Sequence, residues 1–254
     1  MTTHKFAETA DSDPSARYAI YWAPPADSLL ARLGNAWLGR DAEQDARADA
    51  LPPRPSISDF TPAQLEALTA EPRRYALHAT LKPPFTLAMG RDVAALCADL
   101  ARVASSQAPF IMPPLRLARI GRRFLALIPS EPCPPLDALA SRCVTAFDDF
   151  RRPAPPDELS RRRAAGLDAT EEANLQRWGY PYVLDRFRFH VTLTGPLDPV
   201  LLDRLQQPLA ALFAPATAEP IPIADIALFL EPTPGEPFRL ARRFPLAGRV
   251  AESP

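Results

Sequence analysis

The sequence predicts an α+β fold of two pseudo-symmetric lobes, each a mostly antiparallel sheet backed by helices, with the active-site cleft between them. Strand-like and helix-like segments alternate along the chain in one order, and the same order occurs twice with little residue identity. The chain has 32 prolines and 9 glycines, and pairs of prolines separate many of these segments. Because proline ends helices and fits poorly inside sheets, the pairs indicate element boundaries.

The first half begins with an aromatic and branched segment that is typical of a strand, and continues with a segment whose leucines recur at helical spacing. A connecting excursion with one short helix comes next, before an apolar strand, a second amphipathic helix and a third strand. In order, these six segments are residues 17–23, 27–38, 51–74, 75–81, 92–104 and 114–120. Asp27 is the predicted N-cap of the first helix.

After a turn at residues 121–123, the second half repeats this order. A short apolar strand precedes an amphipathic helix, and a charged excursion rich in Arg and Glu leads to another strand, helix and strand. In order, these six segments are residues 124–128, 136–150, 151–180, 187–194, 200–213 and 221–230. A further turn leads to a last strand at residues 238–246.

The same patterns predict the domain organisation of the chain. The polar residues 1–16 are expected to be a disordered leader, and residues 247–254 a tail. Residues 17–246 are expected to form one bilobal domain with interleaved lobes, in which an internal duplication relates about residues 17–121 to 122–246. The leader has no apolar core region and therefore does not resemble a secretion signal.

Composition excludes several classes of function. The formal net charge of −1 over 254 residues provides no global basic field, so a long nucleic acid is not expected as a partner. No apolar run reaches the length of a membrane span, so we expect a cytoplasmic protein without a membrane partner. The three cysteines form no C-x-x-C pair, which argues against a disulfide framework and a zinc site. Nothing in the sequence indicates an oligomeric state.

Two of the three histidines begin the same four-residue motif, H-x-T-L, and each copy lies in the matching strand of its half. Alternate side chains of a strand share a face, so each motif has one polar and one apolar face. The polar residues expected on the cleft side are His78, Thr80, Lys82, His190, Thr192 and Thr194. The apolar residues between them are expected to face the core.

This set of side chains is suited to opening a phosphodiester. One imidazole can take a proton near neutral pH while another gives one, so two of them form an acid–base pair. Hydroxyls and an ammonium can bind the phosphoryl oxygens and stabilise developing charge. The chain lacks the clustered carboxylates or additional histidines that a two-metal site would use, so neither a metal nor a cofactor is expected.

The paired H-x-T-L strands in duplicated α+β lobes resemble the two-histidine (2H) phosphoesterase superfamily, which includes LigT-like RNA cyclic phosphodiesterases. The segments RYAIYWAP, RRYALHATLKPPFTL and WGYPYVLDRFRFHVTLTGPL resemble more closely a bacterial branch found with phosphonate-utilisation genes. The resemblance covers most of residues 17–246. It implies that His78 and His190 are the catalytic acid and base, in either order, and that Thr80 and Thr192 bind phosphate.

For that branch the implied substrate is a small ribosyl cyclic phosphate, such as 5-phosphoribosyl 1,2-cyclic phosphate, which is opened to the 1,5-bisphosphate. Its second phosphate calls for a further cation, for which Lys82 is the first candidate and Arg17, Arg74 and Arg188 are weaker ones. The candidate substrate-binding residues are Lys82, Thr194, Tyr18, Tyr180 and Arg188. The two tyrosines are candidates for packing on the sugar or base.

Two alternatives stay open at this point. A 2′,3′-cyclic phosphodiesterase or ligase acting on RNA ends would use the same chemistry, but it needs a basic flank and the near-neutral charge counts against it. A nucleotide-binding module without turnover would need only the pocket, and the presence of both histidines argues against it. The role of residues 151–180 is also open.

Overall fold

The computed structural model describes residues 13–43, 52–121 and 123–249. Most of the predicted leader and tail therefore lies outside the described residues. The strands are β1 (Arg17–Trp22), β2 (Ala79–Thr86), β3 (Phe110–Met112), β4 (Leu115–Ile120), β5 (Phe124–Pro129), β6 (Val191–Thr192), β7 (Ile221–Ile223), β8 (Asp225–Glu231) and β9 (Arg239–Pro245). The helices are α1 (Leu29–Leu38), α2 (Pro62–Leu68), α3 (Ala70–Arg73), α4 (Val93–Ser105), α5 (Pro134–Ala146), α6 (Pro156–Arg163), α7 (Ala169–Trp178) and α8 (Pro199–Thr217).

Seven strands form one antiparallel sheet in the order β4-β5-β6-β2-β1-β8-β9. The second strands of the two halves, β2 and β6, are neighbours at its centre. The third strand of each half pairs with the first strand of the other half, since β4 pairs with β5 and β8 pairs with β1. The predicted fold class, a mostly antiparallel α+β fold with pseudo-symmetric lobes, is confirmed, and the two lobes share this one sheet.

A second sheet of two strands, β3 and β7, follows the same symmetry. Each of these short strands directly precedes the third strand of its half, and Ile111 of β3 pairs with Pro222 of β7 at the centre. The sequence predicted one continuous strand at 221–230, whereas the structure divides it at residue 224. β3 was not predicted, because a three-residue strand carries too little pattern to be recognised.

Capping residues set the ends of the main helices. Ser28, rather than the predicted Asp27, is the N-cap of α1, and its side chain accepts a hydrogen bond from the backbone N–H of Ala31. Gly39 ends the same helix in a left-handed conformation with a φ of 70°. α8 is longer than predicted and continues through Pro208.

The two faces of the sheet have different surroundings. In β1, Tyr18, Ile20 and Trp22 belong to the main core with the helices, whereas Ala19 and Tyr21 belong to a smaller cluster on the opposite face. The alternation predicted for a strand is therefore present here, with aromatic residues on both faces. The opposite face contains the site described below.

Helix α1 also connects the two halves of the chain. The indole N–H of Trp37, which is fully buried, donates a hydrogen bond to the backbone carbonyl of Leu193, at a distance of 2.8 Å. Leu193 directly follows the second H-x-T motif. Through this hydrogen bond, Trp37 of the first half holds the backbone just after the motif of the second half. Within the described residues, no helix combines the length and the apolar character that crossing a membrane requires.

Candidate active site

The two H-x-T motifs lie on neighbouring strands at the centre of the sheet. Ala79 of β2 pairs with Val191 of β6, and both side chains are fully buried on the core side. Extending this antiparallel register by one residue in each direction sets His78 opposite Thr192, and Thr80 opposite His190. Side chains directly opposite each other have Cβ atoms about 4.5–5.5 Å apart, and diagonal neighbours about 7–8 Å. Each histidine therefore faces the threonine of the other motif.

Both imidazoles are held in the same way. Nδ1 of His78 lies 3.0 Å from the carbonyl oxygen of Ala76, and Nδ1 of His190 lies 2.7 Å from that of Arg188. A carbonyl oxygen can only accept, so Nδ1 carries the hydrogen in each neutral ring and Nε2 is an acceptor. The Nε2 atom of His78 lies 3.3 Å from the hydroxyl oxygen of Thr80.

Burial lowers the pKa of both imidazoles. Burial lowers the pKa of His78 to about 4, the carbonyl of Ala76 acts in the opposite direction, and the nearby charge of His190 lowers it further. Burial also lowers the pKa of His190 from its ordinary value, against the effect of the Arg188 carbonyl.

Aromatic rings and a residue with a left-handed backbone conformation surround His78. The ring of Tyr21 stacks on the imidazole with centroids 3.9 Å apart, and Phe229 lies beyond it at 6.2 Å. Ala76 has a φ of 58°, a left-handed conformation that is uncommon outside glycine. Since its carbonyl binds Nδ1 of His78, the backbone strain is located at a group that orients the imidazole.

These motifs border a cleft of about 430 Å³. Its lining includes Arg17, Tyr21, Tyr75, His78, Thr80, Arg123, Phe124, Arg162, Tyr180, Thr192 and Thr194. His190 is half-buried beside this lining, with its ring centroid 5.9 Å from that of Phe124. The cleft thus combines His78 and the threonines of both motifs with aromatic surfaces and three arginines, and His190 is not among its lining residues.

Lys82 does not face the cleft, contrary to the prediction. Its side chain is almost fully buried on the core side, where the ammonium donates a hydrogen bond to the carbonyl of Val144 in α5 and lies 4.0 Å from Asp148. The pairing with β1 explains the difference. Tyr21 pairs with Thr80 and the adjacent Ile20 pairs with Lys82, so β2 has an extra residue at this point.

Two other predicted binding residues also lie outside the cleft. Tyr18 is buried in the main core, because it alternates with Tyr21 across the two faces of β1. Arg188 is exposed, and its side chain lines a separate cavity beside β4 and β5. Its contribution to the site is the backbone carbonyl that binds Nδ1 of His190.

Tyr180 and Thr194 do line the cleft, as expected. Tyr180 reaches it from the end of the charged excursion, and burial raises the pKa of its hydroxyl. Thr194 is fully buried, and its hydroxyl accepts a hydrogen bond from the backbone N–H of Leu125 at 3.0 Å. Thr194 therefore joins β5 to the second motif, and its hydroxyl is already engaged.

A buried carboxylate, which the sequence did not indicate, fixes the arginine at one end of the cleft. Glu231 is fully buried and accepts hydrogen bonds from both Arg17 and Arg74. Burial raises the pKa of Glu231, but these hydrogen bonds outweigh it and hold the pKa below its ordinary value. Arg17 and Glu231 are direct partners in the β1–β8 pairing, so the ion pair depends on a contact between the two halves.

No group of three or more His, Cys, Asp or Glu side chains within the described ranges is arranged to hold a metal ion. The polar groups that line the cleft are the imidazole of His78, hydroxyls, arginines and Glu71. Hydroxyls and guanidinium groups are suited to binding phosphoryl oxygens.

Comparison with protein families gives one match. A family model described as "Protein of unknown function (DUF1045)" matches residues 80–239. This chain belongs to the DUF1045 family. The matched region of the DUF1045 chain contains Thr80, His190 and Thr192, and begins just after His78.

Two curated relatives of this DUF1045 chain are both named ribose 1,5-bisphosphate phosphokinase PhnN. The protein from Janthinobacterium sp. (strain Marseille) is 37% identical over 242 residues, which cover 94% of this chain and 52% of the relative. The protein from Laribacter hongkongensis (strain HLHK9) is 39% identical over 228 residues, which cover 89% and 51%. The chain therefore spans about half the length of the curated relatives it matches.

Solved structures with a similar arrangement of elements have low sequence identity. TT0787 of Thermus thermophilus gives a TM-score of 0.46 at 17% identity, over 92% of the DUF1045 chain and 100% of that chain. E. coli LigT complexed with NADP+ gives a TM-score of 0.40 at 13% identity, over 91% and 98%.

Proposed function

We propose that this chain is a cyclic phosphodiesterase that opens a small ribosyl cyclic phosphate, of the 5-phosphoribosyl 1,2-cyclic phosphate type, in phosphonate breakdown. The observation that carries the proposal is the pairing of Ala79 with Val191 between the two H-x-T motifs. Extending this antiparallel register sets each histidine opposite the threonine of the other motif. One phosphorus centre bound between the strands would then have an imidazole on either side and two hydroxyls beside it.

In the proposed reaction, water attacks phosphorus and one imidazole takes its proton through Nε2. The bond between phosphorus and the ribose 2-oxygen breaks, and the other imidazole, in its protonated form, gives a proton to that oxygen. Thr80 and Thr192 donate hydrogen bonds to the non-bridging oxygens. The product carries phosphate on carbon 1, and the proton that left water balances the proton that the leaving oxygen received.

Because the pKa values of the imidazoles are lowered in the free protein, the bound substrate itself must favour protonation of one of them. One imidazole must be protonated to act as the acid, yet burial holds the pKa of His78 at about 4 and lowers that of His190. A phosphate anion in contact with a ring favours its protonated form and raises the pKa. Binding of the cyclic phosphate is therefore the event that prepares the acid.

The names of the curated relatives support the choice of substrate. They are ribose 1,5-bisphosphate phosphokinases, and the 1,5-bisphosphate is the product of the proposed ring opening. A phosphate-binding loop of the G-x-x-x-x-G-K-[ST] type needs lysine after glycine, whereas Lys5 and Lys82 follow His4 and Leu81. We assign the kinase activity to the part of the relatives that this chain does not cover, where it would consume the product.

The test offers the chelator-treated protein three compounds: 5-phosphoribosyl 1,2-cyclic phosphate, 2′,3′-cyclic nucleotides and RNA with a cyclic phosphate end. Phosphorus NMR identifies the product. We expect ring opening of the ribosyl compound to the 1,5-bisphosphate. His78→Ala and His190→Ala should each lower kcat at least about a hundredfold, the lower range for acid–base catalysis. His4→Ala, at the histidine outside both motifs, is the matched control.

Turnover of the RNA end alone would replace this proposal with the RNA-end activity. Binding of nucleotides without turnover of any of the three compounds would favour a binding module. Activity that returns only when metal is added back after chelation would contradict the metal-independent mechanism.

A further inference from the structure

A second cavity, strongly cationic, opens beside the cleft. It has a volume of about 330 Å³ and is lined by Arg17, Glu158, Arg161 and Arg162. Arg17 and Arg162 also line the main cleft, so the two spaces are continuous through these side chains. With three guanidinium groups and one carboxylate in its lining, this cavity favours an anion.

Arg17 is held in position from the buried side. Its Nε donates to Glu231, and its guanidinium lies 5.4 Å from the ring centroid of Phe238. Within the described part of the chain, no hydrogen bond is recorded for its Nη1 and Nη2 atoms, and about a third of the side chain is exposed. Two parallel N–H donors of a fixed guanidinium match two oxygens of a phosphate.

Arg162 reaches the same space from helix α6. Its Nε and Nη2 both donate to Oε1 of Glu158, at 3.2 and 2.5 Å, and the guanidinium lies 4.8 Å from the ring centroid of Tyr180. A partly exposed ion pair one helical turn apart contributes little to stability by itself. Here it orients a cation at the edge of the cleft, on an excursion whose role the sequence left open.

We propose that Arg17 and Arg162 form a subsite for a second phosphoryl group of the substrate, a phosphate monoester away from the reacting phosphorus. Glu231 and Glu158 are the positioning residues. This inference rests on the proposed function, which it deepens: the α6–α7 excursion selects ribosyl cyclic phosphates that carry a 5-phosphate over those that do not.

The test measures binding of ribose 5-phosphate, a probe that has no cyclic phosphate and needs no turnover. Titration calorimetry at low salt compares wild type with Arg17→Gln and Arg162→Gln. Each substitution should weaken binding about 10- to 100-fold, because it removes hydrogen bonds between charged groups. Arg163→Gln is the matched control, since Arg163 lies on the same helix and pairs with Glu172, and its binding should equal that of wild type.

Arg17→Gln also removes a partner of buried Glu231, so circular dichroism checks that this variant folds. The affinity of the Arg162→Gln variant decides the outcome, because the Arg162 side chain is partly exposed. Three results would each overturn the subsite. Arg162→Gln could bind ribose 5-phosphate with wild-type affinity, or Arg163→Gln could lose as much affinity as Arg162→Gln. The third result is a wild-type protein that binds ribose 5-phosphate no better than ribose. A protein that binds ribose 5-phosphate as expected but opens no cyclic phosphate would contradict the proposed function and leave the subsite standing.

Discussion

His78 and His190 show how the backbone can hold an imidazole in one orientation. Each ring is fixed at Nδ1 by the carbonyl two residues earlier, which leaves Nε2 as the second polar atom of the ring. For His78 that carbonyl belongs to Ala76, whose left-handed conformation costs backbone energy. The same hydrogen bond fixes the tautomer, and burial lowers the pKa of the ring.

The low pKa of His78 predicts a loss of stability in mild acid. The folded-state pKa of about 4 lies below the ordinary value of 6.5, so the unfolded chain takes up the proton first as the pH falls. The free energy of unfolding should therefore decrease between pH 6.5 and 4, by a few kcal/mol in total from this group. Urea unfolding at pH 7 and pH 5 measures the effect.

His78→Gln removes the titrating ring and should show a smaller decrease between these two pH values, because the acidic groups common to both proteins are unchanged. An equal decrease in the variant and in wild type would mean that His78 takes up its proton as readily in the folded chain as in the unfolded one.

At the scale of one element, the alternation of side chains between the two faces of the sheet is interrupted in β2. Thr80 faces the cleft and Leu81 the core, but Lys82 also faces the core because the pairing with β1 shifts at this point. The ammonium then lies against α5, near Asp148, which also pairs with Arg151 and Arg177. A lysine that was expected to bind substrate thus belongs to a buried charge network.

Replacing Lys82 with Met should not destabilise the protein at neutral pH. Burial lowers the pKa of this lysine from 10.5 to about 8, so the folded state bears a cost for burying the ammonium. Asp148 would keep two arginine partners. Replacing such a buried ion with an apolar side chain is commonly neutral or stabilising by about 1–4 kcal/mol. Urea unfolding at pH 7 checks this, with Lys82→Gln as a comparison that leaves a polar group buried.

The pH dependence gives a second measure of the same lysine. Between pH 8 and 10.5 the unfolded wild-type chain binds more protons at Lys82 than the folded chain, so this group makes the free energy of unfolding rise with pH. That rise should be absent in Lys82→Met. A variant that loses more than about 2 kcal/mol at pH 7 would instead show that the ion pair stabilises the fold.

At the scale of the whole molecule, neither half completes its own sheet. β4 from the first half pairs with β5 of the second, and β8 from the second pairs with β1 of the first. The buried bond from Trp37 to the Leu193 carbonyl crosses between the halves as well. The site depends on this exchange, because the two motifs meet at the central β2–β6 junction.

This interleaving predicts one cooperative unfolding transition rather than two. If either half unfolded alone, the other would expose the strand edges and the apolar surface that its partner covers. Pulse-labelling hydrogen exchange in increasing urea should show β1 and β2 losing protection at the same urea concentration as β5 and β8. Loss of protection in one half at a clearly lower concentration would mean that the lobes fold independently.

The sequence by itself determined the order of the main helices and strands, the duplicated pattern, and the shared face of each H-x-T pair. These features depend on local periodicity, which acts over a few residues and does not require the rest of the fold. The resemblance to 2H phosphoesterases depended on the same motifs.

The tertiary structure alone decided which residues complete the cleft. A shift in strand pairing places the side chain of Lys82 on the core side of the sheet, and Tyr18 also faces the core. Arg188 contributes its backbone carbonyl to the site and not its guanidinium group. Arg162 lines the cleft, and Glu231 binds Arg17 of the lining; both belong to elements that are far from the motifs in sequence. The physical reason is that register shifts and contacts between distant elements are set by packing of the whole sheet, which no short segment encodes.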